Sequence, residues 1–110
     1  MQPRELSRKN LIEILKTYKK YLGDYAVSNY IKNPEMILDE VRNCGYSIEY
    51  YRIGSKWTDD TKLGFRTDIN SRQLEILVYL NYGIKDEKIL KEFNNAQKKF
   101  LQKVSEILKN

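Results

Sequence analysis

Apolar residues recur at helical spacing at both ends of the chain. Near the start they predict an amphipathic helix that begins near Pro3 or Ser7 and runs to about Leu22, with Gly23 ending it. At the other end, a stripe of about six turns predicts a single long helix that Asp86 can cap. The stripe consists of Ile89, Leu90, Phe93, Ala96, Phe100, Leu101, Val104, Ile107 and Leu108.

A further helix is predicted between Asn33 and Gly45. Asn33-Pro34-Glu35 combines an N-cap side chain, a proline at the first helical position and an acid near the positive end of the helix. Gly45, next to Cys44, accepts the left-handed conformation that ends many helices.

In the middle of the chain, the spacing of apolar residues changes from helical to alternating. The runs 46–53, 62–69 and 74–82 each alternate between apolar and polar positions and are rich in β-formers. We therefore predict an α+β fold: N-terminal helices, then a three-stranded antiparallel sheet, then a long C-terminal helix packed on one face. The whole chain reads as one domain, with an additional basic helical segment at 1–32 and an α-β-β-β-α core at 33–110.

The register of the second hairpin follows from its turn. If Asn70-Ser71 forms the turn, apolar residues face apolar residues and opposite charges face each other. A slip by one residue would lose all of these pairs. The predicted pairs are Phe65 with Ile76, Leu63 with Val78, and Arg66 with Glu75.

The composition excludes several kinds of metal site and catalytic site. Histidine is absent and Cys44 is the single cysteine, which argues against zinc fingers, histidine general-base catalysis and an internal disulfide. We predict no catalytic residues, no metal and no cofactor. The chain has no apolar run long enough to span a bilayer and no signal-like start, so we expect a cytoplasmic protein without a membrane partner.

The positive charge is concentrated at the two ends of the chain. The net charge is +5, from 20 basic and 15 acidic residues. Residues 1–33 carry seven basic and three acidic groups, residues 34–70 five and seven, and residues 71–110 eight and five. The ends are therefore the plausible surfaces for an anionic partner.

From Asn33 onward the chain resembles the double-stranded RNA-binding domain. The opening Asn33-Pro34-Glu35-Met36-Ile37-Leu38-Asp39-Glu40 is similar to the start of that family, as are the positions of Gly45, Tyr50 and Phe65. Where the family has Ser-Lys-Lys-x-Ala-Lys, this chain has Asp86-Glu87-Lys88-Ile89-Leu90-Lys91 and keeps two of the lysines. The resemblance implies that a glutamate of the first core helix contacts minor-groove hydroxyls, that the first hairpin loop enters the next minor groove, and that lysines at the start of the last helix bind phosphates. The residues in these roles are Glu40, Lys56, Trp57, Lys85, Lys88 and Lys91.

Three other hypotheses remain open. Residues 69–109 can also be aligned with a helix-turn-helix, which would require a helix where the third strand is predicted. Asp60-Thr61-Lys62 has the local spacing of a metal-dependent nuclease motif. The third is a protein-interaction module, such as an immunity or anti-defence inhibitor protein. We favour a non-catalytic nucleic-acid-binding domain that contacts structured or double-stranded RNA, rather than DNA, through lysine–phosphate interactions. The oligomeric state is not predicted.

Overall fold

The computed structural model describes residues 6–23, 26–43, 48–67, 74–80 and 83–109. Within these residues the elements are α1 (Arg8–Tyr21), α2 (Val27–Lys32), α3 (Glu35–Asn43), β1 (Ile48–Arg52), β2 (Thr61–Thr67), β3 (Leu74–Leu80) and α4 (Glu87–Lys109). The α+β class, the N-terminal helices, the antiparallel sheet and the long C-terminal helix are thereby confirmed.

The two long helices begin at capping side chains. Ser7 is the N-cap of α1, and its hydroxyl accepts a hydrogen bond from the amide of Asn10 at 3.0 Å. At α4 the carboxylate of Asp86 accepts from the amides of Lys88 and Ile89, at 2.9 and 3.2 Å. All three bonds satisfy amides that lack a partner in the first helical turn, which confirms the predicted starts.

Helix α1 ends where the sequence places Gly23. A Cβ atom at this position would lie 1.8 Å from the carbonyl oxygen of Lys19, so only glycine fits without a backbone shift. The predicted end of the next helix at Cys44-Gly45 lies outside the described residues, and α3 is described as far as Asn43.

The sheet is antiparallel in the order β1-β2-β3. The pairing of β2 with β3 has the predicted register, and the guanidinium of Arg66 donates to the carboxylate of Glu75. The turn predicted at Asn70-Ser71 lies outside the described residues. The observed pairs include Phe65 with Ile76, Leu63 with Val78, and Arg66 with Glu75.

The strand at β3 also decides against a helix-turn-helix. That hypothesis requires a helix over 69–77, whereas residues 74–80 pair with β2 as a strand. It also requires a turn near residues 93–96, whereas α4 is continuous from Glu87 to Lys109. The helix-turn-helix prediction is therefore wrong, because alternating apolar residues in this segment are buried by a sheet rather than by a helix.

Helix α1 lies at the centre of the hydrophobic core. Its residues Leu11, Ile14, Leu15 and Tyr18 are completely buried. Helix α4 packs mainly along α1 and also contacts β3, so it is shared between a helix and the sheet. The described residues of the 1–32 segment therefore contribute to the same core as the rest of the described chain.

The contacts between α1 and α4 fix their relative direction. The rings of Tyr18 and Phe100 meet edge to face, with centroids 5.4 Å apart. Beyond Tyr18, the carbonyl of Leu22 accepts from the amide of Lys56, and the neighbouring Trp57 reaches Phe93, seven residues before Phe100. The two helices therefore run antiparallel.

Candidate nucleic-acid interface

The loop between β1 and β2 is built around the hydroxyl of Ser55. This oxygen accepts from the amides of Trp57 and Thr58, each at 3.3 Å, and lies 2.7 Å from the hydroxyl of Thr61. Gly54 has a positive φ of 83° and donates its amide to the carbonyl of Thr61 at 3.0 Å. Because internal bonds and a left-handed glycine shape it, the loop has a defined conformation.

Two hydrogen bonds attach this loop to helix α1. The buried hydroxyl of Tyr18 donates to the carbonyl oxygen of Gly54. The amide of Lys56 donates to the carbonyl oxygen of Leu22, one residue beyond the helix, at 2.9 Å. The loop is thus fixed against the end of α1, and the side chain of Lys56 remains exposed.

Trp57 packs inward from the same loop. Its ring is half-buried and meets Phe93 of α4 edge to face, with centroids 5.6 Å apart and an interplanar angle of 86°. Aromatic pairs in this geometry stabilise a fold beyond the area that they bury. In this structure, Trp57 therefore joins the loop to α4, and Lys56 and Asp59 are the exposed residues of the loop.

Glu40 is exposed on α3, but one of its oxygens already has a partner. The hydroxyl of Tyr51 in β1 donates to Oε2 of Glu40 at 2.9 Å, and the Tyr51 ring is buried against Tyr30 and Phe65. The carboxylate therefore helps to hold α3 on the sheet. Its second oxygen is the part that a ribose hydroxyl would have to contact.

Lys85, Lys88 and Lys91 are all exposed near the start of α4. They are interspersed with three acids, so residues 85–92 carry three positive and three negative charges. One of the acids, Asp86, is the helix cap. The local net charge at the predicted phosphate site is therefore zero, despite three accessible lysines. The acids in this segment are Asp86, Glu87 and Glu92.

The positive charge lies elsewhere on the helices. Residues 93–109 of α4 carry four lysines and one glutamate, and residues 8–21 of α1 carry five basic residues and one glutamate. Because α1 and α4 are packed against each other, the structure brings these two basic segments together.

Four exposed lysines lie at the same level of the helix pair. Lys16 and Lys20 are each two residues from Tyr18, while Lys98 and Lys99 directly precede Phe100. The Tyr18 and Phe100 rings are in contact, so the four lysines share one level along the two helices. Because a helix turns by roughly 100° per residue, their side chains point away from the contact between the rings, from the outer sides of the two helices. We call these four residues the helix-pair surface.

Three other cations of the two helices have side-chain partners. The guanidinium Nε of Arg8 lies 2.8 Å from Oε1 of Glu35, and Nζ of Lys19 donates to the hydroxyl of Ser28 at 2.9 Å. On α4, Lys103 forms a longer ion pair with Glu106, at 3.5 Å. Within the helix-pair surface, Nζ of Lys20 lies 5.3 Å from the centroid of the Tyr21 ring, a cation–π contact made by an exposed lysine.

The sequence indicated the two ends of the chain as anion-binding surfaces, but the candidate lysines of the last helix were those at its start. The uneven distribution of charge along the chain was the signal for the helix-pair surface, since the segments that form α1 and the later part of α4 are both net positive. The contact between α1 and α4 is long-range, and no local pattern specified it.

No family model, no curated protein and no solved structure matches the chain. Among the described residues, no group of three or more histidine, cysteine, aspartate or glutamate side chains is arranged to hold a metal ion. None of the described helices is both long enough and apolar enough to cross a membrane.

Proposed function

We propose that the protein is a non-catalytic nucleic-acid-binding domain that contacts structured or double-stranded RNA through lysine–phosphate interactions. The observation that supports the proposal is the packing of α1 along α4, which places the exposed lysines of two distant basic segments on adjoining helices at one level. Phosphate contacts dominate the affinity of proteins for nucleic acids, so a cluster of exposed lysines is the feature that such a function needs. We place this function in the cytoplasm.

A second point of contact is the β1–β2 loop. Lys56 is exposed on a loop that is fixed to α1 through Leu22 and Gly54. A fixed loop loses little conformational entropy on binding, which favours affinity. Together with the order α3, three strands and α4, this supports a contact that spans the loop and the helices, with Glu40 as the reader of ribose hydroxyls.

Binding of this kind depends steeply on salt. A protein that makes six to ten phosphate contacts loses roughly 10³- to 10⁵-fold in affinity between about 50 and 200 mM salt. We expect the slope of log K against log salt to decrease by about one for each phosphate-contacting lysine that is removed.

The test is fluorescence anisotropy on duplex RNA and duplex DNA at several salt concentrations. Two variants remove equal charge from different places. The first changes Lys16, Lys20 and Lys98 to glutamine, and the second changes Lys85, Lys88 and Lys91 to glutamine. All six side chains are exposed, so both variants should fold.

We expect the wild type to bind duplex RNA more tightly than duplex DNA, and the first variant to lose more affinity and salt dependence than the second. Equal losses would show that total charge matters and that the helix-pair surface does not. If the wild type shows no salt-dependent binding to either duplex, the proposal is wrong. A protein complex that survives high salt in a pull-down would then favour the protein-interaction module.

A further inference from the structure

In the part of the chain that the structure describes, the third strand is an edge strand with a single charged residue. In the described sheet β2 is central, so β1 and β3 each have one neighbour. Edge strands carry backbone N–H and C=O groups that can pair with another chain, and proteins usually protect them with charges, prolines or bulges. β1 contains Glu49 and Arg52, whereas Glu75 is the only charged residue of β3, which contains neither proline nor glycine.

Apolar surface remains along this edge. Leu74 and Ile76 are buried, but Val78 and Leu80 further along the strand are only partly buried. On the other face Tyr79 is 48% exposed. The end of β3 is therefore less completely covered than its beginning.

We propose that β3 pairs with β3 of a second copy of this chain, antiparallel and about a two-fold axis at Leu77. In this register each residue meets a compatible one, and the single acid meets a tyrosine rather than another acid. Apolar cross-strand pairs are favourable and like charges directly opposite are unfavourable, so the register is self-complementary. The pairs are Leu77 with Leu77, Ile76 with Val78, Glu75 with Tyr79, and Leu74 with Leu80.

The same register preserves the two faces of the sheet. Leu74, Ile76, Val78 and Leu80 alternate with Glu75, Leu77 and Tyr79 along the strand. Each core-facing residue of one copy lies opposite a core-facing residue of the second copy, so the helices of both copies lie on one side of a continuous sheet. This self-complementarity is why we assign a second copy to the edge rather than an extended segment of another protein.

The register is tested by two substitutions of one exposed residue. Tyr79→Glu places a carboxylate opposite Glu75 of the second copy at two symmetric positions, whereas Tyr79→Lys places a cation there. Within one chain the effects are reversed, because Tyr79 is paired with Lys62 in β2. Of the two charges, glutamate is therefore the more favourable within the monomer, and thermal unfolding of both variants measures the change in stability of the fold.

Sedimentation equilibrium over a range of protein concentrations measures the association. We expect the wild type and Tyr79→Lys to dimerise. Relative to Tyr79→Lys, Tyr79→Glu should raise the dissociation constant by roughly two- to thirtyfold, from one unfavourable pair at each of two positions, which the Arg66–Glu75 ion pair of each chain partly offsets. A wild type that stays monomeric up to its highest attainable concentration overturns the proposal. So does an equal shift of the dissociation constant in both variants. Neither result depends on whether the chain binds RNA.

Discussion

Replacing Trp57 by alanine should destabilise the fold, because its ring connects the β1–β2 loop to α4. Removing a fully buried aromatic side chain costs about 3–5 kcal/mol. Trp57 is half-buried, so roughly half of that cost applies, and loss of its edge-to-face contact with Phe93 adds about 0.5–1.5 kcal/mol. We therefore expect Trp57→Ala to lower the free energy of unfolding by about 2–4 kcal/mol.

Urea denaturation followed by far-ultraviolet circular dichroism measures this change without relying on tryptophan fluorescence. The ring contact itself is isolated by a double-mutant cycle of Trp57→Ala and Phe93→Ala, for which we expect a coupling of about 0.5–1.5 kcal/mol. Trp57→Phe is the matched control, since it keeps an aromatic ring and should retain most of the stability.

An unchanged stability would instead favour the role that the resemblance implies for Trp57, which is contact with the minor groove. If Trp57→Ala leaves the free energy of unfolding unchanged and lowers the affinity for duplex RNA, the ring contacts the nucleic acid and our structural interpretation is refuted.

Three further substitutions test the anchors of the fold by urea denaturation. Tyr18→Phe removes the hydroxyl that donates to the buried carbonyl of Gly54, and should cost about 1–3 kcal/mol; no loss would mean that water replaces the hydroxyl. Gly54→Ala forces a side chain into the left-handed conformation at φ 83° and should cost about 1–2 kcal/mol, whereas an unchanged midpoint would show that the loop relaxes easily. Asp86→Ala removes the cap of α4 and should cost about 0.5–2 kcal/mol, with Asp86→Asn as the control that keeps most of the stability.

The sequence by itself determined the features that depend on neighbouring residues. Ser7 and Asp86 cap helices through bonds to amides two or three residues away. The β2–β3 register followed from alternation on both sides of a short connection, because a slip by one residue would turn every apolar side chain to the other face.

Only the tertiary structure decided what depends on distant residues. The sequence did not indicate that α1 lies at the centre of the core, that Trp57 packs on Phe93, or that Tyr51 engages Glu40. It also did not indicate that the basic segments of α1 and α4 are packed together. It favoured the start of α4 as the phosphate site, where acids cancel the charge. Contacts of this kind are selected by the simultaneous burial of apolar faces from the whole chain, which no local pattern encodes.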